Sequence, residues 1–163
     1  MHLAIFHGTE TKLQKRNERS LNKSRSHNPS EHAEEYLEAL WISEEKGKPI
    51  AKISGIAKRL ALAPPSVVEM LKKLNEQDLV QYHPYRGVRL AKSGRVLARR
   101  VVRHHRLVEV LMKQTLNIRV DENVACGIEH HMTGEFTRAL CSLLGHPRRC
   151  PHGNLIPMGD CCS

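Results

Sequence analysis

Two short runs of apolar residues at helical spacing lie close together in the first half of the chain. The link Ala61-Leu62-Ala63 between them is tight, and Pro64 and Pro65 can begin the second helix because proline is tolerated in a first turn. The apolar positions are Ile53, Ile56, Ala57 and Leu60 in the first run, and Val67, Val68, Leu71 and Leu74 in the second. This pattern predicts a helix-turn-helix.

Elements on either side extend this unit. After Asn28-Pro29-Ser30, glutamates in the first turn favour a helix that runs to about Glu45. Downstream, the extended runs 79–83 and 88–90 flank Pro84-Tyr85-Arg86-Gly87, a pattern typical of a hairpin. We interpret the hairpin as the wing of a winged helix-turn-helix.

A long amphipathic helix is predicted from Ser93 to about Thr115, because neither proline nor glycine follows Gly94 in that stretch. One face carries Leu97, Val101, His105, Val108 and Met112, and nearly the opposite face carries Arg95, Arg99, Arg103 and Arg106. The arginine stripe either lies near DNA phosphates or is a solvated face. Shorter helices are expected from Asp121 to about Met132 and from the cap Thr133 to Leu144, followed by loop.

Charge indicates the kind of partner. The 163 residues carry 26 Lys+Arg against 17 Asp+Glu, a net charge of +9. With one Trp, three Tyr and two Phe, the chain lacks aromatic platforms for single strands, so duplex DNA is the favoured polyanion.

No run reaches the roughly 18 apolar residues of a membrane span, so we expect no membrane partner. Five cysteines, an odd number, indicate reduced thiols in a cytoplasmic protein.

Pattern and charge together divide the chain into four parts. We expect a disordered basic tail at 1–30, a winged helix-turn-helix DNA-binding domain at 31–92, a linking helix with a small all-helical domain at 93–157, and a flexible tail at 158–163. The fold class is mainly α. The candidates for base contacts at the start of the recognition helix are Pro65, Ser66 and Glu69, and those for phosphate contacts are Lys72, Lys73, Arg86 and Arg89.

Residues with metal-ligand chemistry recur at spacings that place them on single helix faces. They are Glu35 and Glu38, His105 and Glu109, and the trio Cys126, Glu129 and His130. Each pair alone is also compatible with a solvated or core position, but the trio is a mixed donor set suited to first-row transition metals. A zinc site from Cys150, His152, Cys161 and Cys162 is a weak alternative, because the spacing matches no strong finger pattern.

Six segments carry a resemblance to a known family. The chain resembles the metal-dependent repressors of the diphtheria toxin repressor and manganese transport regulator type, from about residue 31 to 157. The matching segments are 34–38, 65–71 (Pro-Ser-Val-Val-Glu-Met-Leu), 84–88, 103–107, 125–130 (Ala-Cys-Gly-Ile-Glu-His) and 144–147.

This resemblance implies a homodimer that binds double-stranded operator DNA, with a C-terminal dimerisation domain. It also implies a divalent transition metal, Fe²⁺ or Mn²⁺, two ions per subunit. The ligands carried over are Glu35, Glu38, His105, Cys126, Glu129 and His130, with Glu109 as an ancillary ligand. The set is a hybrid, since Glu35 and Glu38 match the manganese branch and Cys126 matches the iron branch. Glu122 falls where the iron branch has a histidine.

Metal ions that join the first helix to the Cys126–His130 segment would clamp the DNA-binding half against the dimerisation half. Glu35, Glu38, Glu129 and a deprotonated Cys126 carry charge that two divalent cations would neutralise. The resulting prediction is a metal-dependent transcriptional repressor with no small-molecule substrate. A winged-helix regulator independent of metal is the alternative. A di-metal hydrolase is disfavoured, because the wing and the basic charge would have no purpose in an enzyme.

Overall fold

The computed structural model describes residues 30–162, so the predicted tail at 1–30 lies almost wholly outside the described residues. Helices α1 (Glu31–Glu45), α2 (Ile53–Leu60) and α3 (Pro64–Glu76) precede the strands β1 (Val80–His83) and β2 (Gly87–Leu90). Helix α4 (Lys92–Val110) continues into a π-helical turn (Leu111–Thr115), followed by α5 (Glu122–Glu129), α6 (Gly134–Leu143) and a 3₁₀ turn (Asp160–Cys162). The mainly α, winged fold predicted from the sequence is confirmed.

The winged helix-turn-helix is built around one apolar core. Its three helices and the hairpin bury Leu37, Leu40, Ile56, Val67, Leu71, Leu74, Val80 and Val88. The turn between α2 and α3 is tight because Ala61 adopts a left-handed conformation (φ 53°), which lets the Leu62 N–H donate to the Ala57 carbonyl at 3.0 Å. In the antiparallel hairpin Val80 pairs with Leu90, and both side chains point into the core.

Helix α4 belongs to both halves of the described chain. Its first part contributes Ala98 to the winged core and packs along α1, and its last part buries Leu107 and Val110 against Leu140 of α6. The helix begins against the turn between α3 and β1, where the Leu79 carbonyl accepts from the Ala91 N–H at 3.0 Å. A single continuous helix therefore links the DNA-binding elements to the C-terminal helices.

The C-terminal helices begin at their expected caps, but one ends early. The Asp121 carboxylate accepts from the backbone N–H of residues 123 and 124, and the Thr133 hydroxyl accepts from that of Phe136. Helix α5 ends at Glu129 rather than near Met132, because the N–H groups of His131 and Met132 bond to carbonyls three residues back instead of four. The predicted α-helix up to Thr115 likewise gives way to a π-helical turn after Val110.

The arginine stripe of α4 is only partly solvated, because two of its four arginines are buried within the protein. Arg103 and Arg106 are buried and donate to the backbone carbonyls of Pro157 and Leu155, while Arg99 donates to that of Met158. The guanidinium groups of these three arginines therefore hold residues 155–158 against α4. The expectation of a flexible tail at 158–163 does not fit this packing up to residue 162.

Candidate metal centre and nucleic-acid interface

The predicted metal ligands from three separate helices meet around one cleft. Glu35 and Glu38 of α1, His105 and Glu109 of α4, and Cys126 of α5 line it together with Glu122, Arg106 and His152. Glu129 and His130 contact this group from the end of α5. The structure thus brings all seven sequence-predicted ligands together, although they span almost a hundred positions of the chain.

One donor group joins α1 to α5. Glu35, Cys126 and His130 each offer one ligand atom, and these three atoms lie within 4.8 Å of one another. The Cys126 Sγ lies 3.6 Å from the His130 Nε2, because residues four apart are neighbours on one helix face. A carboxylate, a thiol and an imidazole in this arrangement form a donor set that fits a first-row transition metal.

The orientation of the His130 ring is fixed by a residue that sequence reasoning missed. The His130 Nδ1 lies 2.8 Å from the Glu34 Oε2, and the other oxygen of Glu34 accepts from Arg100 at 2.7 Å. A proton on Nδ1 donated to this carboxylate leaves the Nε2 lone pair directed toward Cys126. Glu34 is only 5% exposed. Its position three residues before Leu37, on the apolar face of α1, was the available signal.

A second donor group surrounds His105. Its Nδ1 lies 2.5 Å from the Glu129 Oε2, and its Nε2 lies 3.1 Å from the Glu122 Oε2 and 3.6 Å from the Glu109 Oε1. Burial opposes charge on the ring, but the contacts with Glu109 and Glu129 outweigh burial and raise the pKa of His105 to about 11. Glu122, which was not among the seven predicted ligands, also belongs to this group, with a side chain that is 64% exposed.

The third group lies beyond Glu109 and includes two residues outside the predicted set. The His152 Nδ1 lies 2.8 Å from the Glu109 Oε1, and Cys150 is buried beside the same carboxylate. Sequence spacing could not reveal this contact, because Glu109 and His152 are 43 positions apart and belong to different elements. Burial opposes the charged form of Glu109, yet His105 and its neighbours lower the pKa of this carboxyl.

The cleft passes a direct test for a cation site. Among the described residues, the buried Oε2 of Glu109 and Oε1 of Glu129 have no hydrogen-bond partner. A buried carboxylate oxygen without a hydrogen bond costs free energy, and a bound cation would provide the missing partner for both oxygens. Burial and the nearby carboxylates raise the pKa of the Cys126 thiol to about 12, and burial also raises that of Glu129. A bound cation would therefore replace protons here.

The seven predicted DNA-binding residues are all exposed on the winged helix-turn-helix. Pro65, Ser66 and Glu69 occupy the first turns of α3, and Lys72 and Lys73 follow on the same helix. Lys73 pairs with Glu69 at 2.9 Å, and in the wing the Arg89 Nε donates to Gln81 at 2.6 Å. Tyr85 at the tip of the wing is fully exposed beside Arg86. These side chains are free to approach a duplex from the solvent side.

No helix within residues 30–162 has the length and apolar character needed to cross a membrane.

Comparisons with known proteins find two family models that match successive parts of the chain. Residues 29–88 match the family model described as the iron dependent repressor N-terminal DNA binding domain, and residues 91–158 match the iron dependent repressor metal binding and dimerisation domain. Over 105 residues the chain is 38% identical to the HTH-type transcriptional regulator MntR of Bacillus subtilis, an alignment that covers 61% of this chain and 70% of that protein.

Two solved structures are similar in fold and sequence. The manganese regulator SloR has a TM-score of 0.68 and 35% identity, covering 77% of this chain and 59% of that one. A manganese-dependent transcriptional repressor in complex with manganese has a TM-score of 0.73 and 32% identity, covering 78% of this chain and 59% of that one. The chain therefore spans less than two thirds of the length of these two relatives.

Proposed function

Because the chain belongs to the iron-dependent repressor family of metal-dependent transcriptional regulators, we propose that it represses transcription by binding operator DNA as a homodimer when loaded with Fe²⁺ or Mn²⁺. The observation that carries this proposal is the meeting of Glu35 from the DNA-binding half with Cys126 and His130 from the C-terminal half. The protein is a DNA-binding regulator and not an enzyme, and we place it in the cytoplasm, where its DNA and reduced thiols would be found.

The residues of the cleft explain how metal would be coupled to DNA binding. Glu38 repels Glu129 across the cleft, and Glu35 and Glu38 both disfavour a thiolate at Cys126, so a cation bound there would offset this repulsion. Helix α1 carries Tyr36, Leu37 and Leu40 in the core of the winged domain, so a change in the position of α1 reaches α3 through packed side chains. Metal can shift DNA affinity only by its differential affinity for the two arrangements, and DNA must tighten metal binding by the same factor.

Two ions per subunit fit the distribution of donors. Glu35, Cys126 and His130 form one group, and His105, Glu109 and Glu122 form another. Carboxylate oxygens favour Mn²⁺ or Fe²⁺, and the manganese named in the two similar structures supports Mn²⁺. The match of Cys126 to the iron branch of the family supports Fe²⁺, so we propose both metals as activators.

A homodimer is supported by a set of exposed apolar side chains on the C-terminal helices, which we propose as the dimer surface. Val124 and Ile128 lie one turn apart on α5, and Phe136 and Leu143 lie two turns apart on α6. Their exposed fractions are 48%, 39%, 50% and 72%. Large apolar side chains that face solvent are candidates for a protein–protein interface, and all four lie in the region matched by the dimerisation model.

The test compares two matched double variants on duplex DNA selected from a random pool. The variant E129A/H130A removes two buried donors of the cleft. The variant E31A/H131A removes an exposed glutamate–histidine pair, whose nearest carboxylate oxygen and ring nitrogen lie 3.8 Å apart. We expect added Mn²⁺ or Fe²⁺ to tighten DNA binding at least fivefold in the wild type and in E31A/H131A, but not in E129A/H130A. Circular dichroism verifies that each variant is folded. Equal affinity of the wild type with metal and with chelator would instead establish a metal-independent regulator.

A further inference from the structure

Four further donors form a separate cluster near the end of the chain. They lie outside the cleft lined by Glu35, Glu38, His105, Glu109 and Cys126, which we call the regulatory cleft. Cys141 lies on α6, His146 follows that helix, and Cys161 and Cys162 lie in the terminal 3₁₀ turn. One ligand atom from each of the four lies within 4.8 Å of the other three. We call this group the terminal thiol cluster. None of its members contributes to the donor groups around His105, His130 or Glu109.

The end of α6 brings the first two donors together. The His146 N–H donates to the Cys141 carbonyl at 2.9 Å, and the Gly145 N–H donates to that of Ser142 at 3.0 Å. These two bonds define a Schellman motif, in which the residue two places beyond the cap packs against the helix residue that accepts its N–H. Gly145 and His146 both adopt left-handed conformations, with φ of 69° and 55°. The motif therefore positions the His146 ring against the Cys141 sulfur.

Arg103 holds the other two donors in place. Its Nη1 donates to the Pro157 carbonyl, and its Nη2 lies 3.3 Å from the Cys161 Sγ and 3.4 Å from the Cys162 Sγ. Gly159 permits this approach, because a Cβ at that position would come within 2.9 Å of the guanidinium group. The buried cation is thus aimed at two sulfur atoms, and N–H···S contacts of this kind stabilise thiolates that bind a metal.

The distances within the cluster match those of a tetrahedral site. For zinc–sulfur bonds of about 2.3 Å and a zinc–nitrogen bond of about 2.0–2.1 Å, the sulfur–sulfur edge is about 3.8 Å and the sulfur–nitrogen edge is about 3.6 Å. In the structure Cys141 Sγ lies 3.6 Å from Cys162 Sγ and 3.5 Å from His146 Nδ1, and Cys161 Sγ lies 3.9 Å from Cys162 Sγ. Each of these edges agrees with the tetrahedral value to within about 0.2 Å.

We propose that the terminal thiol cluster binds a structural Zn²⁺ ion through Cys141, His146, Cys161 and Cys162. Three thiolates and one imidazole give the bound ion a net charge of −1, which the guanidinium of Arg103 balances. Four protein ligands complete the tetrahedral shell, as expected for a structural ion rather than a catalytic one. The ion fastens the terminal turn to the end of α6, independently of the regulatory metals.

This assignment differs from the zinc site that spacing alone suggested. Cys150 and His152 do not join Cys161 and Cys162, since they lie beside Glu109 in the regulatory cleft. Their places are taken by Cys141 and His146, which the spacing did not single out. The adjacent pair Cys161-Cys162 is therefore the only part of that sequence-based set that the cluster retains.

The experiment measures zinc in the full-length protein purified under reducing, anaerobic conditions and dialysed to remove weakly bound metal. We expect about one zinc per chain in the wild type. Cys126→Ser serves as the control, because it removes a sulfur from the regulatory cleft and leaves the terminal thiol cluster intact. We expect C126S to retain its zinc and both C162S and H146A to lose it.

Cobalt substitution keeps the proposal testable if C162S or H146A fails to fold. Co²⁺ at this site in the wild type and in C126S should show thiolate charge-transfer absorption together with the intense visible bands of tetrahedral cobalt. Wild-type protein without zinc and without that cobalt spectrum overturns the proposal. Full retention of zinc by C162S, or a disulfide between Cys141 and Cys162 in the reduced preparation, also overturns it and identifies the cluster as a thiol pair instead.

Discussion

Glu34 stands beside the first predicted metal ligand, yet it serves a different purpose from its neighbour. Glu35 faces the cleft, whereas Glu34 is buried between Arg100 and the His130 ring. The carboxylate fixes the ring so that one nitrogen carries a proton and the other presents a lone pair. At the residue scale, we therefore expect this supporting group to strengthen the proposed metal site, because a partner that fixes a histidine ring also orients its ligand atom.

Substituting Glu34 should weaken metal binding without unfolding the protein. Glu34→Gln keeps the size of the side chain but removes the charge that orients His130, so we expect metal affinity to fall about 10- to 100-fold. Competition with a metal-binding dye measures the change. Glu31→Gln is the matched control, since that side chain is 61% exposed on the same helix. Equal metal affinity in the wild type and E34Q would show that Glu34 does not support the site.

Single residues also show which contacts a local sequence pattern can predict and which it cannot. Cys126 and His130 are four positions apart, and the helical period alone predicts that their side chains meet. Glu109 and His152 meet through the folding of distant segments, which no local period encodes. The donors within one helix were therefore predictable, while their grouping into three sets, and the terminal thiol cluster, required the tertiary structure.

At the scale of elements, helix α4 determines how the two halves are joined. The absence of proline and glycine after Gly94 predicted a helix from Ser93 to about Thr115, and the structure has an α-helix to Val110 followed by the π-helical turn. The role of its arginines was not predictable, since their acceptors are carbonyls and carboxylates far along the chain. Arg106 makes two bonds with Glu45, at 2.9 and 2.6 Å, and lowers the pKa of that carboxyl. The end of α1 is thereby tied to α4.

The close approach of α4 to the turn between α3 and β1 depends on one glycine, Gly94. A Cβ at Gly94 would lie 1.8 Å from the Leu79 carbonyl oxygen, which is backbone and cannot move aside cheaply. We expect Gly94→Ala to destabilise the protein by about 1–3 kcal/mol, the usual cost of overpacking. Urea denaturation measures this loss as a lower transition midpoint.

Gly55 provides the control for that substitution. It also lies in a helix, and a Cβ there would meet nothing within 4 Å. Gly55→Ala should therefore leave the stability unchanged or raise it by up to about 1 kcal/mol. Equal midpoints for the two alanine variants would mean that α4 can shift away from Leu79 without cost.

At the scale of the whole molecule, the proposed repressor requires two copies of the chain. Leu143 is 72% exposed at the end of α6, in the apolar surface assigned to the dimer. A glutamate there would bury charge between subunits, so we expect Leu143→Glu to shift the protein from dimer to monomer in sedimentation analysis. Ile50→Glu is the matched control, because Ile50 is 53% exposed in the loop before α2. A dimer of unchanged strength in L143E would contradict the assigned surface.

Several arginines of α4 form ion pairs within the protein, which limits how much they contribute to the attraction between the protein and DNA. Each phosphate that the protein neutralises releases counterions from the duplex, and the logarithm of affinity falls with the logarithm of salt by about 0.9 per phosphate. Arg95, Arg100 and Arg106 already face Glu44, Glu34 and Glu45. The ionic-strength dependence of operator binding should therefore reflect α3 and the wing, and be shallower than the total of basic residues would suggest.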